Sequence, residues 1–343
     1  MSILILWIKA LGLTLPRELS LAIKEDTSSA RDTLPSLQMN IKTVIDEQSK
    51  QGHHTIMKWL SPTDFSAQQD DIITRREEGT GQWFLGSPKF KRWLQGSDKT
   101  LFCPGMPGAG KTMIAAIAID ELINQVRNET IGVAFVYCSY TTPVDEHANA
   151  VLSALLRQLV QQRPSIPEHV LCLYDEKLGH QSKLSPKERF SSLQSVLKEY
   201  SKVYVVVDAL DECIDEKGIR PQLLERLHCL QSEVDLRLMI TSRPTSEVEE
   251  EFGQIPKLEI RANDEDVNRF TAEQMHKLPN CIKRSEDLRR SVPGIIAEAA
   301  DGMLVYHILI LEHHRLMTLG FSLLVSILIR LRTPSSRGRP RLY

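Results

Sequence analysis

The segment Gly105-Met106-Pro107-Gly108-Ala109-Gly110-Lys111-Thr112 carries the residue types that phosphate binding needs, in the order it needs them. Glycines let the backbone curl until successive N–H groups point inward at phosphate oxygens. A helix opening directly after such a loop adds its positive N-terminal end. In that setting Lys111 reaches the β- and γ-phosphates, and the Thr112 hydroxyl is a magnesium ligand. Gly105, Pro107, Gly108, Ala109, Gly110, Lys111 and Thr112 are therefore the candidate nucleotide-binding residues. A second segment, Val203 to Glu212, reads VYVVVDALDE. An acid ending a buried parallel strand sits at the mouth of the sheet, so Asp208 is the second candidate magnesium partner, acting through water. Asp211 or Glu212 can orient or deprotonate an attacking water; solvating a turn is the plainer role for that pair. A third segment, Leu238 to Pro244, reads LMITSRP. Arg243 is the candidate γ-phosphate sensor there, although an ordinary strand-end arginine fits the spacing nearly as well. Asp211, Glu212 and Arg243 form the candidate catalytic set.

These residues need a scaffold, and the surrounding text supplies one. Thr100 to Cys103 predicts a short strand running into the Gly/Pro loop, and Lys111 to Val126 carries a helical apolar stripe. Ile131 to Tyr140 is β-branched and aromatic, a buried strand. Glu146 to Gln162 predicts a helix. Ser185-Pro186-Lys187-Glu188 is a capping box with proline at the first helical position, opening a helix to Tyr200. Val203 to Asp208, Leu236 to Ser242 and Lys257 to Ile260 complete the predicted strands. Strand and helix in this rhythm mean a parallel sheet with right-handed crossovers. The strand at Ile131 falls between the loop and Asp208, so the Asp208 strand should not neighbour the loop strand; the strand ending at Arg243 should lie beside the loop. Before the sheet, apolar positions such as Leu34, Leu37, Ile41, Val44 and Ile45 predict a helical stripe, and Ser61 to Gly86 reads as a turn-rich lead-in loop. After it, Asp264 to Leu278 and Glu286 to Asp301 read as helices.

Bulk properties bound the possibilities. Charged residues are 25% and hydrophobic residues 42%, the composition of a soluble protein with a real core. The formal net charge of -2 gives no reason to expect nucleic acid or an acidic membrane surface as partner. Six cysteines are scattered without CxxC spacing, which predicts reduced, buried thiols in a reducing, cytoplasmic setting and no zinc site. The apolar N-terminus lacks a basic lead-in and a small-residue cleavage site, unlike a signal peptide. Leu316 to Ile329 is apolar and followed by arginines, but shorter than the ~20 residues that span a bilayer. A buried or interfacial helix is the plainer reading, with membrane contact by the tail as the alternative.

Taken together, the motifs resemble a NACHT domain of the STAND class of P-loop NTPases, most similar to the nephrocystin-like modules of filamentous-fungal incompatibility-type receptors. The resemblance runs from about Trp59 to Met303. It is carried by WLSPTDF (59–65), Arg75/Arg76 with GTGQWFL (79–85), FKRWL (90–94), GMPGAGKT, the small Ala209 followed by Asp211/Glu212, and TSRP. It implies an α/β fold, a three-layer P-loop NTPase sandwich with a parallel sheet and the extra strand between the loop and Asp208 strands. The expected partition is a helical segment 1–58, a nucleotide-binding core with lead-in 59–262, a helical subdomain 263–303, and an atypical apolar and basic tail 304–343. The resemblance further implies ATP (or GTP) with Mg2+, slow hydrolysis, and a nucleotide-dependent switch that gates homo-oligomerisation. It places Arg75 and Arg76 near the base. The text after Met303 departs from the family's winged helix and sensor repeats. The alternative is thus a hydrolysis-deficient nucleotide-binding interaction module; no [NT]KxD motif marks a dedicated GTPase.

Overall fold

Five consecutive apolar residues, Val203 to Val207, leave no face of their strand for water, so this strand must lie inside a sheet covered on both sides. The computed structural model describes residues 51–126, 130–139, 147–178, 182–213 and 218–261, with Asn263, Glu265, Asp266, Arg269 and Glu286 as isolated positions. Residues 51–59 are helical and belong to a first unit; Leu60 onward forms a second, and only that unit is described below.

Its elements, in order, are α1 (Ser66–Thr74), α2 (Gln82–Gly86), α3 (Pro88–Gln95), β1 (Thr100–Pro104), α4 (Lys111–Gln125), β2 (Ile131–Tyr137), α5 (His147–Gln161), α6 (Glu168–Leu178), α7 (Pro186–Lys198), β3 (Lys202–Asp208), a 3-10 turn (Leu210–Glu212), α8 (Ile219–Glu233), β4 (Leu236–Ser242) and α9 (Ser246–Glu251). The strands form one parallel sheet in the order β1-β4-β3-β2. This is the α/β P-loop arrangement, with β4 between the loop strand and the Asp208 strand and β2 beyond them, as the motif order implies. Pro104 pairs with Ser242 and Tyr137 with Asp208, so the strands end level and their C-terminal ends make one rim.

Two predicted elements differ. The lead-in is not a loop: α1 and α2 occupy much of it, joined by a turn at Gly79 and Gly81, both with positive φ. α1 has no side-chain cap on its first turn and only a weak apolar face, so local propensity did not announce it. Tertiary contacts hold it. Ile72 and Ile73 pack on the core, and the buried Gln69 donates to the Ala116 carbonyl of α4 (2.9 Å) while accepting from the Tyr137 hydroxyl. The predicted last strand is reduced to a single bridge, Phe102 to Lys257, flanked by hydrogen bonds that run beside β1 as far as Ile260. The predicted helices after Asp264 and the tail lie outside the described residues, save for the isolated positions. No helix among the described residues is long and apolar enough to cross a membrane.

The family-like lead-in motifs turn out to be packing. Phe84, Phe90, Trp93 and Tyr204 make a chain of rings with centroids 5.0, 5.5 and 5.4 Å apart, tying α2 and α3 to β3. Ser61 and Asp64 bind the guanidinium of the buried Arg157 on α5. Arg75 pairs with Asp71 on the surface, and Arg76 closes its own turn on the Thr80 carbonyl, so both arginines shape the lead-in itself.

β2 is an edge strand, and Val133 and Phe135 turn their backbone groups outward. Gln162 and Gln158, one turn apart on and just past α5, each meet one of these peptides with both ends of the amide. The Val133 N–H donates to Gln162 (3.0 Å) and the Gln162 amide donates to the Val133 carbonyl (2.6 Å); Phe135 and Gln158 do the same at 3.0 and 2.7 Å. Two side chains thus stand in for a missing fifth strand and deny the edge to other chains. Gln158→Leu should lower unfolding stability in urea by about 1–3 kcal/mol, the cost of stranding buried backbone groups. The double variant Q158L/Q162L should also self-associate in light scattering. Gln161→Leu, at an exposed neighbour, should do neither; equal midpoints for Q158L and Q161L would refute the edge role.

Candidate functional site

The phosphate loop runs from β1 into α4, and its glycines are required by two different constraints. A Cβ at Gly105 would stand 2.7 Å from the Ile260 carbonyl oxygen and 3.2 Å from Lys111 Cγ, so the segment after α9 presses on the loop from outside. Gly110 is the N-cap of α4 at φ 89, a left-handed conformation, and so turns the chain into the helix without strain. The Gly105 N–H is held by the Ser242 carbonyl at the end of β4 (3.0 Å). Lys111 folds back on the loop, its Nζ donating to the carbonyls of Gly105 (2.9 Å) and Met106 (3.1 Å). Burial pulls the Lys111 ammonium below its ordinary pKa, and the carboxylates of Asp211 and Asp208 pull it back up.

Asp208 ends β3 with only 2% of its surface exposed. Burial pushes its carboxyl up from the ordinary carboxylate value; the Thr241 hydroxyl first, then the nearby Thr112 hydroxyl and the Lys111 charge, oppose that shift. Thr112 and Asp208, the two residues expected to hold magnesium, thus face the same end of the sheet. Oxygen donors of this kind, with the Lys111 ammonium alongside, fit a phosphate-bound hard cation that keeps several waters. Thr241 was not singled out by the sequence. Its hydroxyl donates to Asp208 Oδ1 and accepts from the Ala209 N–H (2.9 Å), bridging the strand end to the turn beyond it. Only its place two residues before Arg243, on the same side of β4, hints at this.

Ala209 lies at φ 56, the one described non-glycine residue in the left-handed region. That kink throws the chain into the 3-10 turn and brings both acids of the pair back over the rim. They are not equivalent. Asp211, with its side chain 6% exposed, accepts the Arg243 N–H (2.9 Å) at Oδ1. Arg243 Nε lies 3.0 Å from Oδ2, an ion pair by distance whose N–H is not aligned for a hydrogen bond. Glu212 is looser, 28% exposed and 4.0 Å from Arg243 Nη2. Burial and the neighbouring Asp211 charge raise the Glu212 carboxyl above its ordinary value, as a group that takes up a proton requires. Lys111, Thr112, Asp208, Asp211, Glu212 and Arg243 thus share one rim, while Pro107 and Ala109 shape the loop between its glycines.

On the far side, Gly81 N–H and Trp83 Nε1 both donate to Oδ2 of the buried Asp266, at 3.1 and 3.0 Å. A Cβ on Gly81 would stand 2.6 Å from Ile117 on α4. The lead-in turn is therefore clamped between the helix that follows the phosphate loop and the residues that follow the sheet.

Two outcomes follow for the nucleotide-free protein. Ala209→Gly should stabilise it by about 1 kcal/mol and Ala209→Val destabilise it by more, because only glycine adopts the left-handed region without a steric cost; equal denaturation midpoints would contradict the kink. Asp208→Asn should raise the melting temperature at neutral pH. A carboxyl whose folded pKa is raised binds its proton more tightly when folded, so its cost to stability grows as pH rises from 3.8 through the raised value and persists above it. The gap between variant and parent should therefore shrink as pH falls through that window, and a gap independent of pH would contradict the assignment.

Known proteins resemble this chain as follows. Residues 79–243 match the family model described as Nephrocystin 3, N-terminal. Vegetative incompatibility protein HET-E-1 of Podospora anserina is 28% identical over 246 residues, 67% of this chain but 18% of that protein. The chain thus spans less than a fifth of this relative's length. Among solved structures, AMPPCP-bound DnaA from Aquifex aeolicus gives a TM-score of 0.40 at 15% identity, covering 76% of this chain and 68% of that one. The Walker-type ATPase PABY2304 of Pyrococcus abyssi gives 0.41 at 13% identity, covering 75% and 77%. At that distance neither informs individual residues. The family match falls on the segment that holds the loop, the acid turn and Arg243, so over that segment the chain is similar to a nephrocystin-like NACHT module, a nucleotide-binding NTPase domain of the P-loop class.

Proposed function

We propose that this module binds ATP (or GTP) with Mg2+, hydrolyses it slowly, and acts as a nucleotide-dependent switch within a STAND-type signalling receptor. The observation that carries the proposal is the rim itself, where the loop lysine Lys111, the buried Asp208 held by Thr241, and the Arg243–Asp211 pair end level beside the phosphate loop. Phosphate oxygens entering the loop replace the two carbonyls that now hold Lys111 Nζ. Thr112 and Asp208 hold the cation, which supplies positive charge across the phosphates. Asp211 keeps Arg243 in place through the backbone N–H and Nε, leaving Nη2, now loosely facing Glu212, to meet the terminal phosphate. Glu212 is the general base: burial raises its carboxyl, and unlike Asp211 it is not committed to the Arg243 N–H. The likeness to an incompatibility protein favours a fungal, cytoplasmic receptor that assembles with copies of itself.

Fluorescent ATP titrated with and without Mg2+ tests the reading, with GTP as competitor to set the base preference. Lys111→Ala should weaken binding by about ten- to hundredfold, the worth of one charge-assisted contact. Glu212→Gln should keep binding but lose about a hundredfold in turnover. Unchanged affinity in K111A would refute the site. Tight binding in the parent with no turnover above K111A would favour the other reading, a hydrolysis-deficient interaction module.

A further inference from the structure

Two thiols outside the candidate set meet behind the acid turn. Cys138 follows β2 directly, and its N–H donates to the Asp208 carbonyl (3.0 Å). Cys213 ends the 3-10 turn that carries Asp211 and Glu212, and its N–H donates to the Leu210 carbonyl (3.1 Å). Though 75 positions apart in sequence, their sulfurs are 3.1 Å apart, in S–H···S contact. A disulfide needs a sulfur separation near 2.05 Å, so about 1 Å of closure suffices. Cys213 is buried, while Cys138 is a partly exposed residue and so the nearer of the two to solvent.

We propose that Cys138 and Cys213 form an oxidisable dithiol whose disulfide staples the acid turn to the end of β2. A hydroperoxide supplies the oxidising equivalents. The Cys138 sulfur attacks the peroxide oxygen, the O–O bond breaks, and Cys138 becomes a sulfenic acid as the peroxide leaves as an alcohol or water. The Cys213 sulfur then displaces the sulfenic oxygen, forming the S–S bond and releasing water. Two thiols and one hydroperoxide thus give one disulfide, one alcohol or water, and one water. The Cys213 sulfur, burial and nearby carboxylates all raise the Cys138 thiol above its ordinary pKa. The staple crosses the turn and not the phosphate loop. Its effect on turnover rests on the function proposed above; its formation does not.

The test uses the full chain without nucleotide, in a C172S/C229S background that removes the two thiols described as exposed. After incubation with hydrogen peroxide, remaining thiols are alkylated and the digest is read by mass spectrometry. A peptide pair linking Cys138 to Cys213, lighter by two hydrogens and released by dithiothreitol, is the expected result. Cys213→Ser should abolish it and leave Cys138 as a sulfinic acid or a free thiol. Hydrogen exchange across residues 209–213 should slow by about tenfold in the oxidised protein and recover on reduction. Cys138 and Cys213 recovered as separately alkylated or separately oxidised peptides would overturn the pairing. Exchange unchanged in the linked protein would overturn the staple. Neither readout depends on nucleotide, so failure here is distinct from failure of the binding titration.

Discussion

A carboxylate at the end of a central strand, almost without access to water, is the constraint around which this module is arranged. An isolated buried charge would neutralise itself; Asp208 has three partners set against that tendency, the hydroxyls of Thr241 and Thr112 and the ammonium of Lys111. They come from two elements. Thr241 comes from β4, which must therefore lie beside β3, and Thr112 and Lys111 come from the first turn of α4, which must therefore rise from the strand on the other side of β4. The order β1-β4-β3-β2 meets both demands at once. Lys111 in turn is desolvated by the same enclosure and leans on the acids around it. Neither charge is comfortable without the other, and phosphate with its counter-cation is the kind of ligand that relieves both.

A four-stranded sheet arranged this way has two open edges, and both are closed without adding a full strand. On the β1 side, the segment ending at Ile260 lends its backbone and presses against Gly105, so the edge closure and the shape of the phosphate loop are one contact. On the β2 side, paired glutamines complete the ladder. The chain thereby keeps its central strands for the rim chemistry while its edges stay unavailable to other chains.

What could be read from the sequence divides along physical lines. The loop was legible because its spacing is set by phosphate geometry and local turn chemistry. β3 was legible because a strand buried on both faces shows as an unbroken apolar run, and the capping box at Ser185 and Glu188 was found where it was expected. That β3 does not neighbour β1 followed from counting strands between motifs. What escaped depends on partners distant in sequence. α1 has little helical signal of its own and exists because Gln69 and two isoleucines find α4 and the core. Gln158 and Gln162 look like the solvated side of an amphipathic helix until β2 is placed beneath them. Thr241 is one polar residue in an apolar strand, and its use appears only once Asp208 is its neighbour. The scattered cysteines read as unrelated because the meeting of Cys138 and Cys213 is a property of the sheet and the turn.

The acid pair shows why geometry had to decide what spacing could not. Adjacent acids after a strand end are interchangeable in sequence, yet here they do different work. Asp211 is nearly buried, has the Arg243 guanidinium 3.0 Å away and also accepts the Arg243 N–H, whereas Glu212 has only the 4.0 Å approach to the same guanidinium. A ligand shifts an equilibrium only by its differential affinity for the two states, so the looser of these contacts is the one a phosphate can displace. On the function proposed above, Arg243 would keep Asp211 when a phosphate arrives and give up only the loose 4.0 Å approach to Glu212, so the contact that would recognise the ligand is the one that would free the base.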